Sequence, residues 1–153
     1  MKLNLFALSI ILIGFLTISC GDDDPIADNA AQIQEYIALN NLDAKEVNNS
    51  GLYYVVTKEG NGEFPTINNE VTVHYEGRLL DGSIFDSSIA RGTPISIGLN
   101  SVITGWQIGI PQFSKGGAGI LIIPSDLGYQ ARGQGAVPGN AVMVFNVELI
   151  DFK

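Results

Sequence analysis

From Val71 to Leu80 the chain reads as an alternation of apolar and polar residues. Val71, Val73, Tyr75, Gly77 and Leu79 fall on one face, and Thr72, His74, Glu76 and Arg78 fall on the other. A period of two marks a half-buried strand, and a one-residue slip would turn every apolar side chain to water. Asp81-Gly82 follows directly and supplies the positive φ of a tight turn, so the chain doubles back here. Other strands are expected at Leu52 to Lys58, closed by Glu59-Gly60-Asn61-Gly62, at Pro94 to Leu99, at Ile120 to Ile123, and at Ala141 to Phe152. In the last of these Met143, Phe145, Val147 and Leu149 share the inward face. Only one short helix fits within this region: Thr104 caps Gly105 to Ile110, and Pro111 ends it. The pattern predicts an α+β domain, an antiparallel sheet packed on one short α-helix.

The start of the chain follows other rules. After Lys2, an almost wholly apolar run from Leu5 to Leu16 is broken only by Ser9 and Gly14. It is short for a bilayer span and fits the apolar region of a signal peptide. Leu16-Thr17-Ile18-Ser19-Cys20 then gives way to Gly21-Asp22-Asp23-Asp24-Pro25, which resembles the lipobox of bacterial lipoproteins. That resemblance implies lipidation of Cys20 and a membrane anchor of several acyl chains, since one chain alone holds only marginally. Cys20 is the only cysteine, so it has no partner for an internal disulfide. Gly21 after it, rather than an acidic residue, points to export beyond the inner membrane: a cell-envelope protein, outer membrane favoured, facing the periplasm or the surface.

The organisation expected is therefore a lipoprotein signal peptide over residues 1–19, an acidic tether and short helix over 20–50, and a globular domain over 51–153. The tether is Asp22 to about Asp28. The helix runs from Asp28 to about Asn40-Asn41, capped by Asp28 or Asn29, with Ile26, Ala30, Ile33 and Ile37 at helical spacing. Its expected role is a packing appendage or spacer.

A formal net charge of −8 and the lack of any Lys/Arg cluster exclude nucleic acid as a natural partner. The one histidine, His74, has neither cysteine nor a second histidine with which to build a metal site and reads as a solvent-facing sheet residue. No GxSxG elbow is present, and Gly116-Gly117-Ala118-Gly119 lacks the pattern and the following helix of a phosphate loop. What stands out instead is aromatic material spread over strand ends and loops: Tyr75, Phe85, Trp106, Tyr129 and Phe145. Composition alone would leave these as core.

The motifs around them point further. Val73-His74-Tyr75-Glu76-Gly77-Arg78-Leu79 with Asp81-Gly82-Ser83-Ile84-Phe85-Asp86-Ser87-Ser88, then Val102-Ile103-Thr104-Gly105-Trp106, Ile123-Pro124 leading to Gly128-Tyr129, and Val144-Phe145-Asn146-Val147-Glu148-Leu149, resemble in order and spacing the signature of FKBP-type peptidyl-prolyl cis/trans isomerases. With its leader and tether, the chain is similar to lipoproteins of this type in Bacteroidota. The resemblance covers residues 52–151 and implies a half-wrapped antiparallel sheet around a short helix, with a hydrophobic pocket between them.

By the same resemblance Trp106 forms the pocket floor and Tyr75, Phe85 and Phe145 its aromatic walls. Val102 and Ile103 line the edge, the Ile103 N–H meets a substrate carbonyl, and the Tyr129 hydroxyl meets another. Asp86 sits beside the twisting amide, Arg91 orients the Tyr75–Asp86 pair, and Ile95 and Val137 flank the proline. The implied activity assists folding of exported proteins, needs no metal or cofactor, acts on proline-containing polypeptides and is open to macrolide inhibitors. The other readings are a non-catalytic, chaperone-like binding module and a structural part of a cell-envelope assembly such as a motility apparatus. The chain departs from the family at Ile95, where an aromatic is common, in a shortened Ile97 to Val102 segment, in the small Ala136 and Val137, and in Gly117-Ala118-Gly119.

Overall fold

The computed structural model describes residues 25–153, with side chains from Asp28 onward. The apolar run Leu5–Leu16, Cys20 and the acidic residues Asp22–Asp24 lie outside the described residues. In chain order the elements are α1 (Pro25–Leu39), β1 (Lys45–Glu46), β2 (Tyr53–Lys58), β3 (Glu70–Leu79), β4 (Ile84–Ser87), α2 (Ser88–Arg91), β5 (Ile95–Gly98), α3 (Thr104–Gly109), β6 (Ala118–Ile123) and β7 (Met143–Phe152). The seven strands make one antiparallel sheet in the order β1-β2-β6-β7-β3-β4, with β5 also on β3. The sheet thus takes in a two-residue strand that precedes residue 51.

The expected alternation in β3 is what the structure buries. Val71, Val73, Tyr75 and Gly77 are inside, while Thr72, His74, Glu76 and Arg78 are partly exposed. The strand pairs along its whole length with β7, from Val71 opposite Phe152 to Leu79 opposite Met143. Its other edge is divided: Glu70–Val73 pairs with β5, and Glu76–Arg78 pairs with β4. Between these pairings the chain leaves the sheet through α2, which carries Arg91 to the rim of the site described below.

Each face of the sheet has its own core. On one, Val71, Val73, Tyr75, Phe145, Val147 and Leu149 pack with Trp106 and Ile110 from the α3 segment and with Phe113. α3 lies tight on the sheet because residue 105 is glycine: a Cβ there would come within 2.4 Å of Ile123 Cγ2. On the other face α1 sets Ile33, fully buried, against Ile122, Val142 and Val144, with Tyr36 and Ile37 at the margin. Full burial of an aliphatic side chain of this size is worth about 1.5–3 kcal/mol, enough to dock a helix that would be marginal alone.

Several expectations are corrected in detail. α1 begins at Pro25 rather than Asp28, since proline suits a first helical turn. Asn29 is not a cap but is 1% exposed within the helix, and Ala30 faces solvent. Thr104 lies inside α3; Ile103 precedes the helix and offers no side-chain cap. A second short helix, α2, was not expected. It forms because Ser87 Oγ accepts from the Ala90 N–H and Gly92, at φ 72°, closes the turn. β4 was likewise not separated from its motif. His74 is only partly solvent-facing, with Nδ1 3.0 Å from Ser88 Oγ.

Candidate active site

Between the sheet and α3 opens a cavity of about 490 Å³. That volume is in the range of small-molecule and peptide side-chain sites. Trp106, 5% exposed, is its floor, placed by α3. The Tyr75 ring from β3 stands edge-on to it at 5.2 Å and 85°, and the Phe145 ring from β7 at 5.4 Å and 80°. Phe85 from β4 meets Phe145 edge-on at 5.5 Å and 84°. Edge-to-face contacts of this kind add about 0.5–1.5 kcal/mol each beyond area burial and fix ring orientation. Trp106 Nε1 is buried without a partner among the described residues.

The aromatic wall depends on a missing side chain. A Cβ at Gly77 would lie 2.5 Å from Phe85 Cζ and 2.8 Å from Phe145 Cε1. Glycine in the middle of β3 therefore lets both rings close over the strand.

One polar network interrupts the apolar lining. The Tyr75 hydroxyl donates to Asp86 Oδ2, Arg91 Nη1 donates to Asp86 Oδ1, and Arg91 Nη2 lies 3.0 Å from the Tyr75 oxygen. The Arg91 guanidinium also sits 5.7 Å from the centre of the Tyr75 ring. Burial would lift the Asp86 carboxyl, but the hydrogen bonds from Tyr75 and Arg91 outweigh it and hold the group below the usual carboxylate range. Burial, and then the bond to Asp86, push the Tyr75 phenol up. Asp86 is thus a fixed carboxylate, both of its oxygens bonded, that lines the cavity with its side chain 42% exposed.

The structure brings every sequence-expected residue of this set to one place. Tyr75, Phe85, Asp86, Ile95, Val102, Ile103, Trp106, Tyr129, Val137 and Phe145 line the cavity; Arg91 does not, but it holds two residues that do. Ile103 accepts from the Trp106 and Gln107 N–H groups, while its own N–H, ahead of the helix, is not used by it. Gln107 Nε2 donates to the Val102 carbonyl at 2.9 Å and steadies this edge.

Ile97, Ser101, Gln134 and Gly135 also line the cavity and were missed. Ser101, Gln134 and Gly135 lie outside the strands and show no periodicity, and Ile97, on β5, reads as an ordinary strand residue. Ser88 was quoted only within a motif. It is fully buried, accepts the Tyr75 N–H at 2.8 Å and donates to the Tyr75 carbonyl at 3.2 Å, so it ties α2 to the backbone of a wall residue. Among the described residues no three His, Cys, Asp or Glu side chains gather as a metal site.

Comparison with known proteins converges on one family. The model of the FKBP-type peptidyl-prolyl cis-trans isomerase family matches residues 61–150. FkpA of Escherichia coli (strain K12), an FKBP-type peptidyl-prolyl cis-trans isomerase, is 42% identical over 131 residues, 83% of this chain and 47% of FkpA. The peptidyl-prolyl cis-trans isomerase Mip of Coxiella burnetii is 39% identical over 127 residues, 82% of this chain and 55% of Mip. This chain therefore spans about half the length of these relatives. The crystal structure of FkpA from Escherichia coli superposes with a TM-score of 0.75 at 39% identity, covering 84% of this chain and 61% of that one. A peptidyl-prolyl cis-trans isomerase from Pseudomonas syringae pv. tomato gives 0.71 at 33% identity, covering 87% of this chain and 99% of that one. With the sheet, the helix and the aromatic cavity in place, the chain belongs to the FKBP-type peptidyl-prolyl cis-trans isomerase family.

Proposed function

We propose that this chain catalyses cis/trans isomerisation of X–Pro peptide bonds in exported polypeptides. The observation that carries the reading is the meeting of four aromatic rings with the Tyr75–Asp86–Arg91 network in one open cavity.

Amide resonance sets a rotation barrier of roughly 18–20 kcal/mol. At X–Pro both isomers are populated, and their exchange takes tens to hundreds of seconds, slow enough to limit folding. No bond is made or broken, so the catalyst has only to bind the twisted amide better than either planar form. The planar amide carries more charge on its oxygen. A cavity walled by Tyr75, Phe85, Trp106 and Phe145 solvates that charge poorly and favours the twisted state. The proline ring rests on Trp106 between Ile95 and Val137. The Ile103 N–H and the Tyr129 hydroxyl hold flanking carbonyls, and Val102 closes the edge. Asp86, kept ionised and oriented by Arg91 and Tyr75, faces the amide as it turns. The same apolar cavity is suited to macrolide inhibitors. The chain itself supplies all of this chemistry.

The test is exchange kinetics of a short Leu-Pro or Phe-Pro peptide with the full chain in mild detergent. Acceleration that a rapamycin-like macrolide suppresses is expected. Rates no better than buffer with folded protein at micromolar concentration would contradict the reading and favour a binding or scaffold role.

The proposal extends to the cell. Residues 1–19 act as signal peptide, Cys20 carries the lipid, residues 20–50 are tether and helix followed by the short strand β1 that joins the sheet, and 51–153 form the rest of the isomerase domain. The anchored chain works in the cell envelope, at the outer membrane, on proline-containing clients. What supports this is the lone cysteine at the boundary between an apolar run and an acidic one. An unmodified Cys20 in the intact mass of the mature chain would refute it.

A further inference from the structure

We propose that Asn29, on the N-terminal helix, is a positioning residue for the pocket: its side chain closes the neck of the loop that carries one wall of the cavity. The inference rests on the isomerase reading of that cavity.

The loop is the segment between β6 and β7, residues 125–140, and it contributes Tyr129, Gln134, Ala136 and Val137 to the lining. Its own bonds are local. Gly128 N–H reaches the Ser125 carbonyl at 3.0 Å, Gly133 N–H reaches the Tyr129 carbonyl at 3.1 Å, Gln134 and Val137 exchange a pair of bonds at 2.9 Å, Asn140 N–H reaches the Gln130 carbonyl at 2.8 Å, and Gln130 Nε2 lies 3.5 Å from the Asp126 carbonyl. Its two ends, Ser125 and Asn140, are bridged by one side chain from outside the loop. Asn29 Oδ1 accepts the Ser125 N–H at 2.7 Å, and Asn29 Nδ2 donates to the Asn140 carbonyl at 3.0 Å. Asn29 is 1% exposed and Ser125 3%, so water does not readily replace the bond between them, while Asn140 at the other end of the bridge is exposed.

The geometry needs an amide. A carboxylate can accept from Ser125 but cannot donate to Asn140, and an alanine can do neither. The residue also lies where a helix surface residue is normally polar and solvated, yet it is buried and both polar atoms of its amide are bonded. Next to it Ile33 docks the helix on Ile122, Val142 and Val144. α1 is thus more than a spacer. It lies before the residues that the family model matches, 61–150, and it fastens a pocket-lining loop of that domain. Without the bridge the loop is held by its own bonds and by the packing of Leu127, Tyr129 and Val137 on the core, and Tyr129 and Val137 sample positions away from the proline site.

The test uses the full chain in mild detergent with Asn29→Ala, Asn29→Asp and, as a control that trims the docking of α1 without touching the bridge, Ile33→Val. Peptide isomerisation, thermal melting and amide hydrogen exchange are read on each. With the fold retained, Asn29→Ala should lower kcat/KM roughly three- to tenfold, mostly through KM because the loop binds rather than reacts. Exchange should speed at the amides of Gly133, Gln134, Val137 and Asn140. Asn29→Asp should fall between, and Ile33→Val should leave kcat/KM and those amides as in the wild type. If folded Asn29→Ala keeps both its kcat/KM and its loop exchange, the proposal is overturned. If the wild type does not isomerise the peptide at all, the isomerase reading falls, while exchange at the four amides still decides whether Asn29 holds the loop.

Discussion

The two faces of the sheet are built from the same strands and covered by one helix each, yet one is sealed and the other is open. Under α1 the contacts are aliphatic: Ile33 against Ile122, Val142 and Val144, with little of any of them exposed. Under α3 the contacts are aromatic, edge to face, and a cavity of about 490 Å³ remains. The difference lies in what the helices bring. α1 is a 15-residue helix that sets Ile33, flanked by Tyr36 and Ile37, on the sheet. α3 has six residues, two of them glycines buried against it, and one large side chain that is buried, Trp106. Flexible aliphatic side chains interdigitate and close a gap. Rigid rings held at right angles by one another leave it open, and this makes a pocket rather than a core.

The comparison is broken most severely at the two helix anchors. Trp106→Ala should cost about 3–5 kcal/mol of stability and abolish isomerisation, whereas Ile33→Ala should cost about 2–5 kcal/mol and leave the pocket rings in place. Melting curves check the first effect. Fluorescence of Trp106, the only tryptophan, checks the second and should be unchanged in folded Ile33→Ala.

Gly77→Ala tests the open face alone. The added methyl must displace Phe85 or Phe145, so overpacking should cost about 1–3 kcal/mol. Loss of kcat/KM should exceed what the unfolded fraction explains, read by combining melting with peptide isomerisation. An enzyme of wild-type activity would show that the rings need not close over β3.

The smallest effect is a pH dependence of the polar network. Asp86 is held below its ordinary pKa in the fold, so the unfolded chain binds the proton more readily. Its contribution to stability is present above about pH 4 and is lost as pH falls through the lowered folded value. The gap in Tm between wild type and Asp86→Asn should therefore be wider near about pH 6 than near about pH 3. Since the pair is nearly half exposed, the gap corresponds to less than about 1 kcal/mol.

What could be read from the sequence follows the range of the forces involved. The alternation in β3 and the Asp81-Gly82 turn are local and were legible, and the structure keeps them. The cavity residues were legible only through the family motifs, because Tyr75, Trp106 and Phe145 would otherwise pass for ordinary core. α2 was not legible: four residues are too few to show a period, and its cap, Ser87, is one serine in a pair. β1 is two exposed residues. Asn29 is the clearest case. Its partners lie 96 and 111 positions away, and a polar residue near a helix start reads locally as a cap.

The central claim is that the cavity performs chemistry separable from the fold, with Asp86 at the reacting amide. Asp86→Leu keeps similar bulk, leaves Tyr75 and Arg91 to pair with each other at 3.0 Å, and removes the carboxylate. Thermal melting and peptide isomerisation on this one variant test the claim most directly. Stability within about 1 kcal/mol of wild type, with kcat/KM down tenfold or more (about 1.4 kcal/mol of transition-state stabilisation), is the predicted result. A variant that unfolds would make Asp86 structural, and one that stays folded and fully active would contradict its place at the site.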